Sequence, residues 1–142
     1  AVVLDTPETA RLGAAEVADT PFAGRVAFVG GDYFETDPGG DRDLALLANV
    51  LHQETPERAA ALVARAAGWL AVGGVLAALD FSLDADPRRT VVGALFAINM
   101  RSFGDTYDEP TIASWLAGAG LEDVRRTDVG RHRWLITGRR PA

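Results

Sequence analysis

Asp43-Leu44-Ala45-Leu46-Leu47-Ala48-Asn49-Val50-Leu51-His52-Gln53-Glu54-Thr55-Pro56-Glu57-Arg58 is the stretch on which the fold turns. Asp43 to Ala48 are nearly all apolar, as in a strand buried on both faces of a parallel sheet. Asn49 to Glu54 read as a loop. Thr55 has the chemistry of a helix cap, and Pro56 suits the first helical position, where its missing N–H needs no partner. Leu62, Val63, Ala66, Trp69 and Leu70 then recur at helical spacing, which places one apolar stripe against a core. Strand, loop and helix in this order form the repeating unit of an α/β fold.

The same grammar extends in both directions. Upstream, Ala1 to Leu4 form an apolar run ended by Asp5, Thr6 and Pro7, and a helix follows to about Asp19 before Pro21 and Gly24 break it. Arg25 to Val29 read as the next strand, stopped by Gly30-Gly31, and residues 32–42 as a polar loop. Downstream, Ala71-Val72-Gly73-Gly74 read as a turn and Val75 to Leu79 as a strand ending at Asp80. A helix from Asp86-Pro87 to about Met100 follows, then a loop over Ser102 to Tyr107. Glu109-Pro110 open a short helix with Ile112, Trp115, Leu116 and Ala119 on one face. Leu121 to Asp128 and Arg133 to Gly138 are separated only by Val129 to His132, so they can pair as an antiparallel hairpin. The pattern predicts an α/β chain with a mostly parallel sheet and an antiparallel hairpin at its C-terminal edge.

Composition narrows the function. With 142 residues, 48% hydrophobic and 24% charged, the chain has the makeup of one globular domain. Every basic residue is Arg and the net charge is −6, so a nucleic acid is not an expected partner. The arginines from Arg125 to Arg140 read as a solvated face. No apolar run approaches the ~20 residues of a membrane span, and Ala1 to Asp5 lack the pattern of a signal peptide, so a cytoplasmic location and no membrane partner are expected. Cysteine is absent, and His52 and His132 have no ligand spacing, so no metal site is expected.

Seven motifs in register resemble a known family. Leu4-Asp5-Thr6-Pro7, Val29-Gly30-Gly31-Asp32-Tyr33-Phe34, Leu46-Leu47-Ala48-Asn49-Val50-Leu51-His52 and Gly73-Gly74-Val75-Leu76, followed by the strand ending at Asp80, resemble the small-molecule O-methyltransferases. These are Rossmann-like class I enzymes that use S-adenosyl-L-methionine. Leu95 to Met100, Gly104-Asp105-Thr106-Tyr107 and Trp115 to Leu121 are similar to the bacterial branch. The resemblance implies methyl transfer to a hydroxyl of a small, aromatic or polyketide-like molecule. It also implies that residues 1–142 form a single catalytic domain trimmed at its N-terminal side. The family's first strand and its glycine-rich loop, which would lie central in the sheet between the strands of residues 1–4 and 43–48, precede Ala1 on this reading. So does the helical segment through which such enzymes form homodimers. Weak cofactor binding by the 142 residues alone is the expected consequence. Without that central strand, the two flanking strands must gain a partner from elsewhere, pair with each other, or leave backbone groups unsatisfied.

Candidate site residues fall at strand ends, where open α/β sheets bind ligands. Asp5 can accept hydrogen bonds from two ribose hydroxyls, and Asp32 from an adenine amino group with Tyr33 or Phe34 beside the ring. The resemblance assigns these cofactor roles to Asp5, Asp32 and Tyr33, and adds Asn49. His52 is the candidate general base, because a neutral imidazole can take a hydroxyl proton near neutral pH. Taken alone, Asp5 could be a helix-entry residue, Asp32 a turn residue and His52 a brace within its loop. Position 53 departs from the family, which often has Asp there; Gln53 cannot stabilise an imidazolium by charge. Asp80 is the preferred replacement, ahead of Glu54 and Asp108, because it ends a strand on the same sheet edge. Met100 and Phe103 could line an acceptor pocket, although helical spacing gives them a core role first. Two rival readings stand beside this one: a non-catalytic methyltransferase-like interaction module, and a piece of another Rossmann-like nucleotide enzyme.

Overall fold

Residues 1–81, 95, 98, 104–130 and 133–142 are described by a computed structural model. The chain divides into two compact units, Ala1–Gly39 and Gly40–Ala142. In the first, strand β1 (Val2–Asp5) and strand β2 (Ala27–Gly30) pair in parallel, with Val2 opposite Ala27 and Asp5 opposite Gly30. Helix α1 (Pro7–Val17) connects them. The expected cap is present: Thr6 Oγ1 accepts from the Thr9 N–H at 3.3 Å, with Pro7 following it. Two glycines let α1 approach the strands closely. A Cβ on Gly13 would come within 2.5 Å of the Phe28 ring, and one on Gly30 within 2.7 Å of Pro7 Cα. Gly30 is thus the last residue of a strand against a helix start rather than a simple turn glycine.

The second unit is a four-stranded sheet of order β3-β4-β6-β5. Strands β3 (Arg42–Ala48) and β4 (Leu70–Phe81) are parallel, joined by helix α2 (Pro56–Gly68). Strand β6 (Arg133–Arg139) runs antiparallel to β4 and to β5 (Glu122–Asp128), which gives the expected C-terminal hairpin. Helix α3 (Glu109–Gly118) starts at Asp108, whose Oδ1 accepts from the Thr111 N–H at 3.0 Å. Thr55 caps α2 in the same manner, and the Glu57 carboxyl in its first turn is held below the usual range by hydrogen bonds from its own backbone N–H and from Thr55. Leu62 and Val63 of α2, Leu116 of α3, Leu76 of β4 and Ile136 of β6 are essentially inaccessible and form the core. At Gly138 a Cβ would lie 3.1 Å from Leu116, so the absent side chain is what lets α3 settle on β6.

One expected turn is instead part of a strand. Ala71 to Gly74 lie within β4, whose ladder runs from Leu70 opposite Arg42 to Val75 opposite Leu44, so four residues bulge against Asp43 alone. The glycine pair does bend the chain there: Gly73 has φ 78°, and a Cβ on Gly74 would meet the Arg42 carbonyl at 2.6 Å. Pairing survives because Arg140 closes the bulge through backbone bonds with both Gly73 and Gly74. Among the described residues β1 pairs only with β2 and β3 only with β4. Leu44 and Leu46 on β3 are more than half exposed. The helix expected over residues 86–100 lies almost wholly outside the described residues, with Leu95 and Ile98 helical. No helix among the described residues is long and apolar enough to cross a membrane.

Residues Gly104–Tyr107 have no regular structure but are firmly attached. Tyr107 is buried, its hydroxyl donates to the Glu54 carbonyl at 2.5 Å, and its ring meets the edge of Trp115 at 4.7 Å. Burial, helped by the nearby charges of Asp105, Glu57 and Glu54, pushes its phenol up to about 12. Two predictions follow from this packing. Leu116→Ala should lower unfolding free energy in urea by about 2–5 kcal/mol, because it removes a buried side chain from a site that cannot collapse freely. The Tyr107 phenol holds its proton better when folded than at the unfolded value of ~10. Its contribution to stability is therefore complete below that pH and is lost as pH rises towards 12. Denaturant titrations at pH 9 to 12 should show that loss, reduced in Tyr107→Phe.

Candidate active site

β4 delivers the first component. Side chains alternate along a strand, so Leu76, Ala78 and Asp80 share one face, and all three are buried. Asp80 therefore arrives as a carboxylate at the end of a core face, opposite Trp134 of β6. A buried carboxylate must find donors. It finds three: Oδ1 accepts from the Phe81 N–H at 2.8 Å, Oδ2 from the His52 N–H at 3.3 Å, and Oδ1 lies 2.6 Å from His52 Nδ1.

The short turn that follows β3 delivers the second. Asn49 ends the strand run in the left-handed region, at φ 54°, with its N–H on the Leu79 carbonyl at 2.8 Å. Asparagine tolerates that conformation better than most residues. A 3-10 turn over Leu51–Gln53 then places His52 in the interior, only 6% exposed, with the Phe81 ring edge-on at 6.4 Å. A carboxylate accepts and does not donate, so the Asp80 contact puts the proton on Nδ1 and leaves Nε2 as the basic nitrogen. Of the acids weighed for this role, Glu54 pairs instead with Arg58 Nε one helical turn on, and Asp108 caps α3. Gln53 points back into its own turn, where Nε2 donates to the Asn49 carbonyl at 3.0 Å.

The strand ends of the first unit carry the other candidates. β1 and β2 are parallel and in register, so Asp5 and the Gly30-Gly31-Asp32 segment lie at the same end of that sheet. Asp5 Oδ1 accepts from the Thr6 N–H and Asp32 Oδ1 from the Phe34 N–H, each at 2.7 Å. Each carboxylate is thereby fixed in direction by its neighbour's backbone, with Oδ2 available as an acceptor. Gly31 is required sterically, since a Cβ there would meet Thr36 Oγ1 at 2.0 Å. Tyr33 and Phe34 stack at a tilt, with ring centroids 5.0 Å apart. Asn49 Oδ1 is buried without a hydrogen-bond partner, an acceptor in want of a donor.

Met100 and Phe103, proposed from the sequence as acceptor contacts, lie outside the described residues, as does His132. Sequence reasoning missed three neighbours of the His52 turn. Gly104 packs so tightly that a Cβ would fall 2.0 Å from the His52 carbonyl oxygen. Thr106 is buried with its hydroxyl unpartnered, and Tyr107 holds Glu54. The sequence singles out Gly104-Asp105-Thr106-Tyr107 only as a family motif, with no role for any of its residues.

With this geometry in hand, comparison with known proteins identifies the lineage. The O-methyltransferase domain matches residues 1–122. TcmO of Streptomyces glaucescens, a tetracenomycin polyketide synthesis 8-O-methyl transferase, is 33% identical over 144 residues, covering 99% of this chain and 42% of its own. An O-methyltransferase family 2 protein from Planctomyces limnophilus, solved in complex with apigenin, is 30% identical with a TM-score of 0.88, covering 98% of this chain and 42% of that one. Human N-acetylserotonin methyltransferase, solved in complex with SAM, is 26% identical with a TM-score of 0.84, covering 99% of this chain and 40% of that one. The chain thus spans about two fifths of the length of these relatives. It belongs to the O-methyltransferase domain family.

Proposed function

We propose that the protein takes part in S-adenosyl-L-methionine-dependent methyl transfer to a hydroxyl of a small aromatic or polyketide-like molecule. The observation that carries this reading is the buried His52–Asp80 pair at the C-terminal ends of two parallel strands. The acceptor groups of the chain suit the cofactor. Asp5 and Asp32 each offer a carboxylate oxygen aimed by a local backbone bond, fitting ribose hydroxyls and an adenine amino group, and Asn49 offers an unpartnered buried carbonyl. Tyr33 supplies a ring for the adenine face. Bound cofactor supplies a methyl group as an electrophilic carbon on a sulfonium centre.

The residues of the chain then handle the proton. A hydroxyl is a poor nucleophile until its proton leaves, and His52 Nε2 takes that proton as general base. Asp80 holds Nδ1–H and so fixes both the tautomer and the ring plane. It also lies where positive charge develops as the imidazole becomes imidazolium. Relatives that act in polyketide synthesis or bind apigenin support an acceptor of this class.

The test is methyl transfer from labelled S-adenosyl-L-methionine to a panel of phenolic acceptors, using the full chain that the gene encodes. His52→Ala should lower kcat by about 10²–10⁴-fold, the usual contribution of general-base catalysis, with little change in the KM for the cofactor. Asp80→Asn should lower kcat in the same direction. Asp5→Ala should raise the KM for the cofactor. Full activity in His52→Ala would refute the assignment of the base. No turnover with any phenolic acceptor would favour an interaction module instead.

A further inference from the structure

The turn that carries His52 is gripped from two sides, and only one grip belongs to the pair already described. On one side Asp80 holds the imidazole and the His52 N–H. On the other side lies the segment Gly104–Tyr107. Gly104 sits against the His52 carbonyl so closely that no side chain fits between them. Three residues on, the Tyr107 hydroxyl donates to the carbonyl of Glu54, the residue that closes the 3-10 turn through its N–H to the Leu51 carbonyl at 3.1 Å. Tyr107 is itself anchored, because its ring packs edge-on against Trp115 in α3. A phenol is protonated throughout the neutral range, so the donor is always present there. A rigid helix is thereby connected to the backbone of the turn within two residues of His52.

We propose that Tyr107 is a positioning residue for the reaction: by bonding the Glu54 carbonyl it fixes where the His52 imidazole sits, and it acts on proton removal only through that ring. This deepens the functional reading above and rests on it. The physical ground is that proton transfer tolerates little misplacement, so that a shift of about 1 Å can cost ~100-fold in rate. Loss of one hydrogen bond to the turn leaves Asp80 and its contacts in place. The effect is therefore smaller than loss of His52 itself.

Tyr107→Phe separates this role from simple packing, because it keeps the ring against Trp115 and removes only the hydroxyl. In the full chain that the gene encodes, the variant should lower kcat about tenfold per folded molecule, with the KM for S-adenosyl-L-methionine unchanged. In a His52→Ala background, where base catalysis is already gone, the same substitution should have no further effect on kcat, since contacts acting through one residue are not additive. Gly104→Ala provides a second handle that spares Tyr107: its new methyl must displace the His52 carbonyl, and it too should lower kcat in the wild-type background only. Wild-type kcat in Tyr107→Phe, or equal losses with and without His52, would overturn the positioning role while leaving the base assignment standing. Undiminished activity in His52→Ala alone would instead remove the base assignment and the positioning role with it.

Discussion

A carboxylate placed on a core face needs donors, and most of the site architecture follows from how Asp80 obtains them. Alternation along β4 puts Asp80 on the same buried face as Leu76 and Ala78. Its partners come from Phe81 beside it and from both the backbone and the ring of His52. The imidazole in turn is buried against that carboxylate and the edge of the Phe81 ring. Removing either partner of such a pair leaves a polar group stranded in the interior, which typically costs several kcal/mol. The pair is thus a structural joint between β4 and the turn after β3 as well as a site with acid–base capacity. Parallel pairing of β3 with β4 brings the two strand ends to the same edge.

Close packing does the rest of the positioning, and glycine is its recurring instrument. Gly138 lets α3 rest on β6, Gly30 lets α1 start against β2, and Gly104 lets a loop press on the His52 carbonyl. None of these three requires a left-handed backbone; each is small because something else occupies the space. Gly73 is different, since its φ of 78° bends β4 at the bulge opposite Asp43. The helices of the second unit then contribute anchorage: α2 begins at a Thr55 cap directly after the His52 turn, and α3 supplies Trp115 behind Tyr107.

Much of this was legible in the sequence because it depends on local chemistry. Thr6-Pro7 and Thr55-Pro56 announced helix starts, and the apolar run from Leu44 to Ala48 announced a strand, but not its exposure, since only Leu47 of β3 is buried. The spacing of Leu121 to Gly138 announced the hairpin. Asp80 as the partner of His52 could be reasoned from its place at a strand end. Ala71 to Gly74 were misread because two adjacent glycines signal a turn, whereas here Arg140 supplies the backbone bonds that keep the bulged segment in the sheet. That partner lies some 66 residues away, counted from Gly74 to Arg140, and no local pattern encodes it. The roles of Tyr107 and Gly104 were illegible for the same reason: their meaning lies in contacts with Glu54 and His52, about 50 residues upstream.

The account rests on the imidazole of His52 being oriented by Asp80, with the proton on Nδ1 and the basic lone pair on Nε2. Histidine-selective ¹⁵N spectroscopy of the neutral imidazole reads this directly. His52 should show a protonated Nδ1 and a bare Nε2, and Asp80→Asn should abolish that preference. A proton found on Nε2 in the unmodified protein would contradict the account.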